Sequence, residues 1–309
     1  MSELRPTSPL RRPQTARPRQ ETVPQVEPPS TAELEAIQRH LVTLPGQEGA
    51  TITLDGELGV VLVRGPGSGP DATYAAMPRW GATTWPDRLD AVVERMRADG
   101  SWPSLLLCDH LDRPAGLAPE LERRGWVDAV SETVMWVGHA SVVPHLDPLL
   151  RIEAVQPRSV ATHEALEREL FGIGPDQAER RSAALRRGLE AGTLRAWIVR
   201  LGDEPVAVAR LSLAEGAAGL QGIAVVDGRR RQGYGTLITT IATRAGMAVG
   251  NRVVWLSVRD TNRAAISVYT RLGFQPAFRW TRWLLAEDPR SDVGGRASPG
   301  GRTEPGRRG

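Results

Sequence analysis

The sequence predicts a mixed α/β protein built as two tandem, related halves. Three observations predict it. Apolar runs of strand length alternate with segments of helical apolar spacing, in the order β-α-α-β-β-β-α-β-α-β-β across Leu150–Leu285. A single displacement of 148 positions superposes elements of the first half on elements of the second, as Gly125 on Gly273. And 309 residues, 40% of them hydrophobic, supply core for two domains at ~100–200 residues each.

The second half is the easier to read. LRIEAV is a short strand. Ser159–Phe171 and Gln177–Ala191 carry helical spacing. LRAWIVRLGDEPVAVARLSL is a hairpin turning at Gly202-Asp203. GLQGIAVV is an apolar strand, and GYGTLITTIATRAGMAVG a helix that opens on glycines. RVVWLSV is a buried strand, TNRAAISVYTRLG a helix ending at Gly273, and FQPAFRWTRWLL a pair of short strands. The expected units are 31–140 and 150–287, joined through the proline-containing SVVPHLDPLL. Residues 1–30 and 288–309, rich in Pro, Arg, Gly and Ser, read as disordered tails that cannot bury enough apolar surface to offset chain entropy.

Composition excludes several classes. No apolar run of ~18 residues is present, so no membrane span is expected. One cysteine, Cys108, excludes an internal disulfide and a multi-cysteine zinc site, and it reads as a small buried residue of the run LLLCD. The five histidines show no metal-ligand spacing, and no metal is expected. The amino terminus lacks the apolar stretch of a signal peptide, so a cytoplasmic protein is expected. All 39 basic residues are Arg, which fits the codon bias of a GC-rich genome. A net charge of +3 without basic–aromatic interleaving gives no ground for a nucleic-acid partner.

The repeat is informative where it fails. The displacement places the strand ending in Cys108-Asp109-His110 on VVWLSVRD, Asp112 on Asp260, and Thr133 on Thr281. It places Gly233 on Trp85, Gly235 on Asp87, Arg230 on Ala82, Asn262 on Pro114 and Tyr269 on Leu121. The first copy keeps strands and helices and loses the glycines and polar groups, so chemistry is expected in the second copy.

Arg230-Arg231-Gln232-Gly233-Tyr234-Gly235 follows a buried strand and opens a helix. A helix start exposes unpaired N–H groups at the positive end of the dipole, and glycines let an anion approach the backbone. It is neither a P-loop nor a dinucleotide fingerprint. Downstream, Asn262 opens a second helix and Tyr269 lies two turns on, on the same face, with small Ala265 between them.

These residues resemble the GNAT acyltransferase superfamily. Arg230, Gly233 and Gly235 meet its R/Q-x-x-G-x-G/A motif. Asn262, Ala265, Tyr269, Gly273 and Phe274 meet N-x-x-A-x-x-x-Y-x-x-x-G-F. The resemblance covers about Leu150 to Leu285 and implies tandem GNAT-like domains with a degenerate first copy, a layout shared with mycothiol synthase. It implies acetyl-CoA as co-substrate and a small-molecule or peptide amine as acceptor. By the same resemblance Ile223, Ala224 and Val225 would pair with the pantetheine arm. The N–H groups from Arg231 through Gln232, Gly233, Tyr234 and Gly235 to Thr236 would hold the pyrophosphate, beside the Arg230 charge. Asn262 would bond the pantetheine region, and Tyr269 would protonate the leaving thiolate.

The family often places a carboxylate at the start of the strand before the loop. Here that stretch is Gly219-Leu220-Gln221-Gly222, and Glu215 is the nearest acid. Its absence opens a second reading, an acyl-CoA-binding module without turnover. Trp80, Trp85 and Trp102 are candidates to line an acceptor pocket, with core packing the alternative. Gly65-Pro66-Gly67-Ser68-Gly69-Pro70 reads as a strand connection, since prolines lack the N–H a phosphate loop needs.

Overall fold

A computed structural model describes residues 27–66, 72–141, 143, 148–214 and 216–286. Residues 1–26 of the first tail, the whole of the second, half of the inter-half join, Glu215 and most of the Gly65–Pro70 stretch therefore lie outside the described residues.

The amino-terminal half contains α1 (Thr31–Thr43), β1 (Thr51–Asp55), β2 (Val60–Arg64), β3 (Thr73–Ala76), α2 (Trp85–Ala98), β4 (Ser104–Cys108), α3 (Leu117–Arg123) and β5 (Trp126–Val137). The carboxyl-terminal half contains β6 (Leu150–Ala154), α4 (Val160–Phe171), α5 (Pro175–Ala191), β7 (Leu194–Leu201), β8 (Glu204–Ala214), β9 (Ala217–Val225), α6 (Tyr234–Ala248), β10 (Val254–Arg259), α7 (Arg263–Arg271) and β11 (Gln275–Leu285). Displaced by 148 residues, α1, β1–β4, α2, α3 and β5 fall on α5, β7–β10, α6, α7 and β11 in turn. The terminal segment expected as two short strands is one strand, β11, because irregularities at Pro276/Phe278 and Arg282/Trp283 bend it without ending its pairing.

Among the described residues eleven strands form one mixed sheet, ordered β1-β2-β3-β4-β11-β5-β10-β9-β8-β7-β6. The order interleaves the halves. β5 pairs antiparallel with β10 and β11, while β11 pairs antiparallel with β4 and β5. Each half thus donates its last strand to the other's side of the sheet.

Strand alternation sorts side chains into cores on both faces. Trp197, Val199, Ala207, Ala209, Val254 and Leu256 meet α6 and α7 residues such as Leu237, Ile238 and Tyr269. Their neighbours Ala196, Ile198 and Val208 point the other way, onto Val160, Leu166 and Leu185 of α4 and α5. In the first half Leu105 and Leu107 pack with Leu89, Val92, Met96 and Leu121, while Leu106 and Cys108 face Ile37 of α1. Cys108 is buried, as expected. Helix α1 begins in a reciprocal cap between Ser30 and Glu33. It reaches the second half: His40 stands edge-on to Trp255 with ring centres 5.4 Å apart and bonds Ser212 Oγ at 2.7 Å. Gly219 is required here, since a Cβ would lie 2.9 Å from the Trp255 ring. No helix among the described residues is long and apolar enough to cross a membrane.

Candidate active site

Strands β9 and β10 run parallel for only three residue pairs, Ala218–Val254, Gly219–Trp255 and Leu220–Leu256, and then separate. A bulge drives the separation. Val208 pairs with Ala224 and Arg210 with Gln221, so two β9 residues, Gly222 and Ile223, oppose Ala209 alone. Gly222 is left-handed (φ +58°), and a Cβ there would lie 2.2 Å from Glu167 Oε1, so only glycine fits.

Glu167 is fully buried beneath that bulge. Its carboxylate oxygens lie 3.1 Å from Arg181 Nη2 and 3.1 Å from Arg210 Nε, and Glu48 faces both arginines at 3.6 and 3.7 Å. Burial raises its pKa to about 7. His163, Glu164 and Glu167 bring metal-capable atoms within 4.8 Å of one another. Two guanidinium groups already supply positive charge to that carboxylate, so a resident cation is not required.

The splay opens two cavities of about 750 and 810 Å³ that meet at Leu170, Phe171, Ile223, Asn262 and Tyr269. The larger is lined by Ile223, Ala224, Val225, Arg230, Arg231, Gly233, Tyr234, Gly235, Thr236, Asn262, Ala265 and Tyr269. Of the residues the sequence singled out for cofactor or catalysis, only Gln232 stays outside; its amide bonds Gly228 O at 3.5 Å.

Helix α6 starts abruptly at Gly233, which is left-handed at φ +89°. The first intrahelical bond of the turn runs from Leu237 N to Gly233 O, and the N–H groups from Arg231 to Thr236 have no partner among the described residues. They form a row of donors at the positive end of the helix. At Gly235 a Cβ would meet only Val225 Cγ2, at 3.7 Å, so the protein itself leaves room there. The arginines divide. Arg229 is tied to Glu204 and Arg230 to Asp227, whereas Arg231, itself left-handed, has no acidic partner among the described residues. In the first half the matching α2 opens on Trp85-Pro86-Asp87, where proline removes a donor and Asp87 adds negative charge.

Asn262 caps α7, its Oδ1 accepting from Ala265 N at 3.2 Å; this commits the oxygen and leaves the amide NH₂ for a ligand. Tyr269 is 8% exposed, packs on Phe274 with ring centres 5.9 Å apart, and lines both cavities. Burial pushes its phenol up to about 12, so it is held protonated.

The smaller cavity contains a residue the sequence reading missed. Glu132 of β5 lines it together with Ser257, Arg259 and Tyr269. Its place in the repeat gave no signal, since its counterpart is Trp280 and the strand reads as apolar packing. Glu132 instead pairs across the sheet with both Arg259 and Trp280. The tryptophans proposed for an acceptor wall lie elsewhere. Trp80 is in the first-half core with its N–H on Leu58 O at 2.7 Å, Trp85 lies under Arg124, and Trp102 lines neither cavity.

A mixed sheet splayed over a row of unpaired helix-start donors defines a class of fold suited to a phosphate-bearing ligand lying along a strand edge. Residues 159–274 match the model of the acetyltransferase (GNAT) family. Among solved structures, a GCN5-related N-acetyltransferase from Kribbella flavida aligns at TM-score 0.63 and 19% identity, covering 85% of this chain and 98% of that one. A tandem GNAT protein from the clavulanic acid biosynthesis pathway aligns at TM-score 0.55 and 17% identity, covering 72% and 77%. A GCN5-related N-acetyltransferase from Sphaerobacter thermophilus aligns at 0.55 and 18%, covering 82% and 93%. At these identities the likeness is one of fold. No curated protein matches the sequence.

Proposed function

We propose that the protein transfers an acetyl group from acetyl-CoA to a primary amine of a small molecule or peptide, by direct attack, in its carboxyl-terminal half. The observation that carries the reading is the row of N–H groups from Arg231 to Thr236, unpartnered among the described residues, beside the Ile223–Val225 edge that parts from β10, in one 810 Å³ cavity. The pyrophosphate lies on those amides with Arg231 near it. The pantetheine runs along Ile223, Ala224 and Val225 as an added strand, and the Asn262 NH₂ donates to it. The thioester then reaches the junction of the two cavities, where Tyr269 gives a proton to the departing thiolate. Holding amine and thioester in one aligned site supplies much of the acceleration. The amino-terminal unit, 31–140, is a second copy without the cofactor-binding loop that completes the sheet of the catalytic unit, 150–287. The reading places the enzyme in the cytoplasm, with no metal and no nucleic-acid or membrane partner.

Calorimetry with acetyl-CoA, paired with thiol release across a panel of primary amines, tests this. Binding abolished by Gly235→Glu, through bulk and like charge, together with amine-dependent thiol release is the expected result. Unchanged affinity in that variant means the loop is misassigned. Tight binding without turnover on any amine favours the non-catalytic acyl-CoA-binding reading.

A further inference from the structure

We infer that Glu132, supplied by the amino-terminal half on β5, is the catalytic base of this reaction: it seats the acceptor's ammonium group in the 750 Å³ cavity and takes its proton. The inference rests on the function proposed above and explains how a chain without an acid in Gly219–Gly222 activates an amine.

Among the described residues Glu132 is the only carboxylate lining either cavity. Its orientation is fixed by a relay: Trp280 Nε1 donates to Ser257 Oγ at 2.8 Å, and Ser257 donates to Glu132 Oε2 at 2.6 Å. Among the described residues the second oxygen, Oε1, has only Arg259 Nε at 3.9 Å, beyond hydrogen-bond distance. A half-buried carboxylate with one oxygen held and the other unclaimed is poised to accept from a ligand. The surrounding charges leave it that task. Asp260 is bonded by Thr133 at 2.7 Å and by Arg279 at 3.0 Å, Tyr269 faces in from α7, and α4 presents apolar Leu170 and Phe171. Burial raises the Glu132 carboxyl above its ordinary value, the direction that favours a proton acceptor.

The step balances as follows. The ammonium R–NH₃⁺ gives one proton to Glu132 Oε1, and the freed nitrogen lone pair attacks the thioester carbon. The C–N bond forms and the C–S bond breaks, its electron pair leaving on sulfur. The sulfur takes the Tyr269 proton, and the proton shed by the new amide nitrogen restores Tyr269. Glu132 returns its proton to solvent.

The test uses coenzyme A thioethers with aminoalkyl arms of two to five carbons, beside matched uncharged alkyl arms, titrated into the full chain at pH 7.5. Wild type is expected to bind the best amino arm at least tenfold more tightly than its alkyl match. Glu132→Gln, which keeps shape and can still accept from Ser257, is expected to bind both within about twofold of each other, with alkyl-arm affinity unchanged. Equal affinity for both arms in wild type at every length, or a preference that survives in Glu132→Gln, overturns the role of Glu132 and leaves the cofactor site standing. Failure of wild type to bind either arm overturns the proposed function and this inference with it.

Discussion

Two glycines two residues apart serve different purposes at the start of α6. Gly233 is left-handed, and a side chain there strains the backbone by ~1 kcal/mol or more. Gly235 is helical with room for a Cβ on the protein side, so its small size serves whatever lies against the helix. Gly235→Ala is therefore expected to melt within about 2 °C of wild type while losing acetyl-CoA affinity about tenfold. Gly233→Ala is expected to lower both. Equal losses of stability in the two variants, by thermal melting, contradict the distinction. Tyr269 carries a proton its surroundings hold until about pH 12. Removal of the hydroxyl in Tyr269→Phe is expected to cut kcat by about 10²-fold, within the range for general-acid groups. The Kd for acetyl-CoA should stay within about twofold. A kcat at the wild-type level removes Tyr269 from the mechanism. The motif positions were legible in the sequence because glycine, asparagine and tyrosine at helix spacing carry local meaning. The place of Glu132 in the cavity was not, because it depends on a strand pairing no local pattern encodes.

At the scale of elements, α1 shows how a helix of the first half serves the second. Its His40 is 3% exposed between Trp255 and Ser212, and burial holds the imidazole down at about 4. The unfolded chain takes up that proton near 6.5, while the folded protein resists it until about 4. Stability from this group is therefore full above pH 6.5 and is lost as pH falls toward 4, by up to ~3 kcal/mol. Urea unfolding of His40→Gln is expected to be flatter than wild type across that window. Parallel losses in both proteins assign the pH dependence to other groups. The β9 bulge is the second device of this scale. It sends β9 away from β10, and Gly222 lets Glu167 sit directly beneath it. The sequence showed the strand and its glycines, but the bulge arises from the register of β8 against β9, a relation between segments.

For the whole molecule, the decisive feature is the exchange of terminal strands. A fragment spanning 150–287 leaves β10 without its neighbour β5 and leaves β11 without either partner, exposing unpaired strand edges. That fragment is expected to be unfolded or aggregated by circular dichroism and gel filtration, and co-expression with 27–149 is expected to restore a soluble complex. A cooperative melt of the isolated fragment contradicts this. By itself the sequence showed most strands and helices of the second half, because period-two and period-3.6 apolar patterns are set by each segment's own burial. It determined where α6 and α7 start, because glycine and asparagine act within a turn. The 148-residue repeat determined that two halves share a plan. Only the tertiary structure decided that the halves interlock and that β9 and β10 part beyond Leu220. It also decided that a carboxylate from the first half stands in the cavity of the second. Strand order and register follow from which edges find each other in space, and that free energy belongs to pairs of distant segments.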